Sequence, residues 1–293
     1  MAEVAPASAA TLLSAGAVRA RSRNILAAAL AGRTRHFRVD RSRIDAAAEV
    51  VELVTRRRYP SLAIPDHSRW RHFEAGGVDR GAELTRTLAG RDAAACARSR
   101  IDLALVSVLL DAGAGAAWRY AEAESGQIFT RSEGLGVASF RAFVAGTFSS
   151  RRDDPLRVDA DALAKIDAAV LGRWFQVRDD NPLIGLDGRA KLLRRLGAAL
   201  QSERATFGDE ARPGGLYDAL TAAQGARIPA AALLRALLDA LGGVWLAGNT
   251  LDGVTLGDTW RHPCAGGDGV TAGWVPFHKL SQWLAYSLFE PFE

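Results

Sequence analysis

Three short stretches of this 293-residue chain gather side chains that can do chemistry. The first, His67-Ser68-Arg69-Trp70-Arg71-His72-Phe73-Glu74 before Gly76-Gly77, follows a proline-punctuated loop. It brings two imidazoles, two guanidiniums, an indole and a carboxylate close together, which suits either the rim of a site or a solvated loop anchored by its aromatics. His67 and His72 stand about 140° apart on a helix, so they cannot share one face as a metal pair. The second stretch, Ile101 to Gly115, is an apolar helix with Asp102 near its start and Asp111 near its end. Their spacing turns the two acids to opposite sides, so they are not an acid and a base on one helix face. Asp102 shares the buried side with Leu105, Val106 and Leu109. Asp111 falls in the last turn, where the helix dipole disfavours an anion by about 0.3–1 kcal/mol. A carboxylate in that position is either functional or a cap for the glycine-rich turn that follows.

Trp118, Arg119 and Tyr120 come next, and then Thr130-Arg131-Ser132-Glu133-Gly134-Leu135-Gly136 introduces another helix. A serine with a following acid fits an ordinary helix start. The same arrangement, free amides beside glycines and an arginine, also suits a phosphate. Without a preceding strand the Gly-x-Gly is no dinucleotide fingerprint, and no Gly-Lys-Ser or Gly-Lys-Thr is present for a phosphate-binding loop. The third stretch, Val275-Pro276-Phe277-His278-Lys279-Leu280-Ser281-Gln282-Trp283-Leu284-Ala285-Tyr286-Ser287-Leu288, reads as a helix opened by its proline. Phe277, Leu280, Leu284 and Leu288 share one side and are expected to bury. Lys279, Gln282, Trp283, Tyr286 and Glu290 share the other, and a face carrying Trp and Tyr meets either further core or a ligand. His278 lies to the side, where a satisfied core imidazole is the commoner outcome.

The elements that must position these groups are helices. Helical periodicity covers residues 11–31, 43–58, 78–89, 92–112, 134–147, 158–173, 188–202, 230–242 and 276–290. Short extended pieces are expected near Phe129 and over 244–262. The fold expectation is a mostly α, compact multi-helix globular domain over residues 1–293, the loop 149–155 being the place where two lobes would join.

An apolar fraction of 48% is enough for a large core. The 37 basic and 33 acidic residues are dispersed, without basic runs or interleaved aromatics, so no nucleic acid partner is expected. Lysine occurs only at Lys165, Lys191 and Lys279, which makes Lys279, in its chemically rich setting, the one to watch. Cys96 and Cys264 fit neither a CxxC pair nor a disulfide framework, as in a reducing compartment. The opening Met-Ala-Glu-Val-Ala-Pro lacks the positive flank of a secretory signal, and the apolar run Ile101 to Leu110 is too short to span a bilayer. A cytoplasmic protein away from membranes is therefore expected. No His-x-His or His-x-x-x-His pair occurs, so neither metal nor cofactor is expected. The oligomeric state is left open.

The segments HSRWRHFEAGG (67–77), Asp102 to Gly113 with SEGLG (132–136), and VPFHKLSQWL (275–284) resemble signature stretches of the family containing the fourth protein of the URC pathway of uracil catabolism. The resemblance runs through nearly the whole chain. It implies a role in opening uracil through ribosylurea to urea, with a small nucleoside or nucleotide derivative as the bound molecule.

A fainter similarity, in the order Ile101-Asp102-x-x-Leu105, Trp118-x-Tyr120 and Phe277-His278-Lys279-x-x-Gln282, is to queuosine-salvage nucleoside 5′-phosphate glycosylases, helical proteins related in fold to DNA glycosylases. It implies a DNA-glycosylase-like fold and hydrolysis of the N-glycosidic bond of ribosylurea or its phosphate. Such a reaction needs a carboxylate for water or for an oxocarbenium-like centre, and a donor for the leaving nitrogen. Under this resemblance Asp102 or Asp111 takes the first role and Lys279 or His278 the second. Arg131, Ser132 and Glu133 at the helix opening would hold a phosphate. Trp118, Tyr120 and Trp283 would wall the sugar, with His67, Arg69, Trp70, His72, Glu74 and Gln282 completing the substrate site. The resemblance also implies a segment with an LTGLPEYR-like motif beyond Pro291-Phe292-Glu293, bearing an acidic site residue and absent from this chain. Two other functions remain open: a non-catalytic binding or scaffold protein, and a hydrolase of the pyrimidine ring or an amide.

Overall fold

Alanine, leucine and arginine are good helix formers, and aspartates at helix starts turn that propensity into defined elements. Asp79, Asp92, Asp159 and Asp167 each accept the amide three residues on, at 2.6–3.0 Å. The computed structural model describes residues 8–245 and 249–293. Its helices, in chain order, are α1 (Ala15–Leu30), α2 (Ile44–Arg58), α3 (Trp70–Phe73), α4 (Arg80–Thr87), α5 (Ala93–Leu109), α6 (Arg131–Val144) and α7 (Ala160–Leu163). They continue with α8 (Ala168–Trp174), α9 (Leu186–Ser202), α10 (Arg204–Phe207), α11 (Gly215–Gln224), α12 (Ala230–Leu241), α13 (Lys279–Ser287) and α14 (Phe289–Phe292). The described strands form three antiparallel pairs: β1 (Tyr120–Ala121) with β2 (Ile128–Phe129), β3 (Thr250–Leu251) with β4 (Val254–Thr255), and β5 (Thr259–Arg261) with β6 (Trp274–Pro276). The fold is mostly α.

Helix α5 is the axis of the core. Every residue from Ile101 to Leu110 is buried, which is why its sequence is apolar on all sides rather than amphipathic. Helices α5 and α6 are joined by a buried 2.6 Å hydrogen bond between the Ser107 and Ser139 hydroxyls. One hydrophobic cluster takes residues from both sides of the 149–155 loop, from Leu13 through Phe148 and Leu156 to Leu288. Two charged clamps sit inside it. Glu122 accepts from Arg80 and Arg141. Burial pushes the Glu122 carboxyl up, but the hydrogen bonds from Arg80, Ser125 and Arg141 outweigh it and hold the group down at about 2. Asp102, also fully buried, accepts from Arg212 and from the amides of Val158 and Gly214.

Several sequence expectations are corrected. The helix read over 158–173 breaks into α7 and α8, because Asp167 caps a new start. The helix read from 276 begins only at Lys279; Pro276 instead pairs with Thr259 in β6, so the proline closes a strand. Phe277 consequently precedes the helix and is 44% exposed, while Leu284 and Leu288 bury as expected. Helix α6 begins at Arg131 after the extended Thr130, earlier than its pattern suggested. Helix α11 and the one-turn α3 and α10 escaped the periodicity reading, single turns such as α3 and α10 being too short to show it. Residues 246–248 of the expected extended region lie outside the described residues. No described helix is long and apolar enough to cross a membrane.

Candidate functional site

A cleft of about 830 Å³ opens where α3, the end of α5, the start of α6 and α13 converge. Its wall on the α13 side carries Lys279, Gln282, Trp283 and Tyr286, the mixed face that the sequence singled out. The opposite wall carries His67, His72, Asp111 and Ser132.

Asp258 sets the register of α13. Its backbone carbonyl accepts from the amides of Phe277 (2.9 Å) and His278 (3.2 Å), and its carboxylate accepts from the Lys279 amide (3.1 Å) and Trp260 Nε1 (2.8 Å). The chain turns into the helix through His278 at φ +47°, a left-handed conformation that a non-glycine residue adopts only where its surroundings enforce it. The enforcing contact is the His278 ring itself: buried, it donates from Nε2 to the Leu12 carbonyl at 3.0 Å. Burial lowers its pKa, against the effect of that bond. Arg131, the first residue of α6, is likewise left-handed at φ +52°. Each of these strained residues is followed directly by a cleft residue, Lys279 and Ser132.

Arg69 anchors the other wall. Its side chain is fully buried, with Nε donating to Ser107 (2.7 Å), Nη1 donating to the Ser132 carbonyl (3.3 Å) and Nη1 lying 3.1 Å from Asp111 Oδ2. The Arg69 amide donates to Ser287 Oγ at 2.9 Å, which ties this wall to α13. Burial pulls the guanidinium down to about 10 despite Asp111, so it stays charged at neutral pH. Burial and then the Arg69 charge lower His72 to about 4, so its imidazole is neutral there.

Trp283 stands at the centre of this group. His72 meets it edge-on at 5.8 Å between ring centroids, His67 is tilted at 6.2 Å, and the Arg69 guanidinium lies 5.8 Å from its ring. Three polar atoms of cleft residues are buried without a hydrogen-bond partner: His72 Nδ1, Asp111 Oδ1 and Trp283 Nε1. Arg69 Nη2, behind them, is a fourth. Gly136 lets α6 approach this closely, since a Cβ there would lie 2.8 Å from His72 Cβ.

The remaining sequence candidates go elsewhere. Asp102 lies in its clamp with Arg212 and is not a cleft residue. Trp118 is a core residue whose Nε1 donates to the Phe175 carbonyl at 2.9 Å, and Tyr120 is buried in β1, so neither is on the cleft wall. Burial raises the Tyr120 hydroxyl to about 12. Trp70 points into the core and donates to the Ser287 carbonyl, while Glu74 pairs with Arg71 on another surface. Arg131 and Glu133 are exposed at the α6 start without lining the cleft. His278 is behind the cleft, and Gln282 lies on it with its amide donating to the Phe277 carbonyl at 2.6 Å. Sequence reasoning missed Asp258, Ser107 and Ser287, ordinary polar residues until the fold gives them partners; the SEGLG motif contained the signal for Gly136. Among the described residues no group of three His, Cys, Asp or Glu side chains could hold a metal.

A family model described as a protein of unknown function, DUF1688, matches residues 11–293. Uracil catabolism protein 4 of Lachancea kluyveri is 39% identical over 277 residues, covering 89% of this chain and 63% of that protein. Protein urg3 of Schizosaccharomyces pombe is 36% identical over 296 residues, covering 97% of this chain and 69% of that protein. This chain thus spans under two thirds of the length of the first of these relatives.

Proposed function

The chain belongs to the DUF1688 family, and on that premise we propose that it acts in uracil catabolism, hydrolysing the N-glycosidic bond of ribosylurea or its 5′-phosphate to release urea. The observation that carries this reading is Asp111. One carboxylate oxygen is held by the buried Arg69, and the other has no protein partner. A carboxylate so held serves the anomeric carbon in two ways: it stabilises positive charge as the bond to nitrogen lengthens, and it accepts a proton from the attacking water.

In the balanced step, water oxygen joins the anomeric carbon, the carbon–nitrogen bond breaks, and its electron pair stays on the urea nitrogen. That nitrogen takes a proton from Lys279, whose ammonium makes no ion pair among the described residues. The proton from water leaves through Asp111 to solvent, and the lysine amine takes one back from solvent, so the site is restored with no net proton change. Trp283 and Tyr286 wall the sugar, and Ser132 at the α6 opening takes part in holding a phosphate. Neutral His72 adds no charge that would oppose the oxocarbenium-like centre.

The test is urea release from ribosylurea and from its 5′-phosphate by the purified protein. Release that vanishes in Asp111→Asn, with the variant as thermally stable as the parent, supports the assignment. Undiminished release by that variant rejects it. Ligand-dependent stabilisation with no urea formed by any version points instead to a binding protein.

A further inference from the structure

The hydrolytic step above moves its protons through Asp111 and Lys279 and leaves one polar atom each of His72 and Trp283 without a task. Each has one buried polar atom with no partner, although native proteins pair nearly all such atoms. Both residues are held in place: Trp283 packs against both imidazoles, and His72 is pressed onto α6 at Gly136. Their open atoms differ in chemistry. The indole Nε1 can only donate. On a neutral imidazole, the tautomer protonated at Nε2 leaves Nδ1 as an acceptor, and burial keeps His72 neutral, down at about 4. One donor and one acceptor on two packed residues of the same cleft match a planar group that presents a carbonyl next to an N–H.

We propose that His72 and Trp283 are the specificity residues for the ureido end of the substrate, Trp283 Nε1 donating to its carbonyl oxygen and His72 Nδ1 accepting one of its N–H groups. This rests on the ribosylurea reading for the choice of an open-chain ureido group. The donor–acceptor pair by itself also suits the ring edge of an intact uracil nucleoside, and the experiment separates the two. In the hydrolytic step, a hydrogen bond to the carbonyl draws electron density from the departing nitrogen and makes urea the better leaving group.

The experiment is equilibrium binding, by calorimetry or ligand-observed magnetic resonance, of N-ethylurea, N-ethylacetamide and uridine to the whole protein. No turnover is needed, so failure of the hydrolysis reading and failure of this inference are distinguishable: selective N-ethylurea binding without urea release from ribosylurea upholds the second and rejects the first. The wild type is expected to prefer N-ethylurea over N-ethylacetamide, which keeps the carbonyl but loses the terminal N–H groups, and over uridine. Trp283→Phe keeps the ring packing, removes the donor, and should weaken N-ethylurea about fivefold. His72→Phe should abolish the preference over N-ethylacetamide. Equal binding of the three probes by the wild type, a preference for uridine, or unchanged selectivity in both variants overturns the proposal. The probe comparison on the wild type alone decides the matter if either variant fails to fold.

Discussion

Asp102 lies midway along α5 and Asp111 just past its end, each against a buried arginine, yet their surroundings are opposite. Both oxygens of Asp102 are used: Oδ2 accepts from Arg212 at 2.6 Å and from Val158 at 3.0 Å, and Oδ1 accepts from Gly214 at 2.6 Å. The clamp ties α5 to the chain before α7 and to the start of α11, and it leaves nothing for a ligand. Asp111 shares one oxygen with Arg69 and keeps the other free, and its neighbours His72 and Trp283 keep open atoms as well. A buried charged network that is fully satisfied holds a fold together; one left partly unsatisfied beside a cleft has capacity reserved for something else.

Substitutions can break this contrast. The largest expected effect is on turnover: Asp111→Asn should reduce urea release by about 10²–10⁴-fold while shifting the thermal midpoint little, since an amide oxygen can still accept from Arg69. Asp102→Ala should do the reverse, lowering stability by about 3–5 kcal/mol because it strands the Arg212 guanidinium in the interior. Guanidinium chloride unfolding measures that loss. If Asp102→Ala proves stable but inactive, the division between the two aspartates is wrong.

Gly136→Ala tests the packing of α6 against the Asp111 side, where a Cβ would meet His72 and Arg69, and should cost about 1–3 kcal/mol by overpacking, with ligand binding in the cleft weakened as well. Unchanged unfolding and binding would show that His72 has room to move.

The smallest expected effect sharpens the contrast through pH. His72 titrates at about 4 when folded and near 6.5 when unfolded, so the unfolded state binds the extra proton between those values. Its contribution is complete above the unfolded value and is lost as pH falls toward 4. His278, also lowered by burial, acts in the same direction. His72→Phe should therefore flatten the decline in stability between pH 6.5 and 4 without removing it. An unaltered profile would mean that His72 is more hydrated than its surroundings indicate.

How much of the site was legible in the sequence follows from how local each signal is. The two faces of α13 were readable because Leu284 and Leu288 recur at helical spacing while Lys279, Gln282, Trp283 and Tyr286 fall opposite. Asp111 was conspicuous as an anion at the unfavourable end of a helix. The HSRWRHFEAGG stretch stood out as dense in chemistry, but a sequence cannot say how the turn of α3 distributes it, with His72 on the cleft, Arg69 buried behind it, and Trp70 and Glu74 away. Trp118 and Tyr120 were misassigned because an aromatic in the core and one on a site wall carry the same local pattern.

By itself the sequence determined the mostly helical fold, the apolar axis around Ile101 to Leu110, and the residues whose chemistry stands out, because propensity, periodicity and capping act over a few residues along the chain. The tertiary structure decided which aspartate is locked and which is open, that Pro276 ends a strand, and that Asp258, Ser107 and Ser287 support the cleft. Those outcomes depend on partners far away in sequence, such as Arg212 for Asp102 and Arg69 for Asp111, and only packing around a shared core brings such partners within hydrogen-bonding distance.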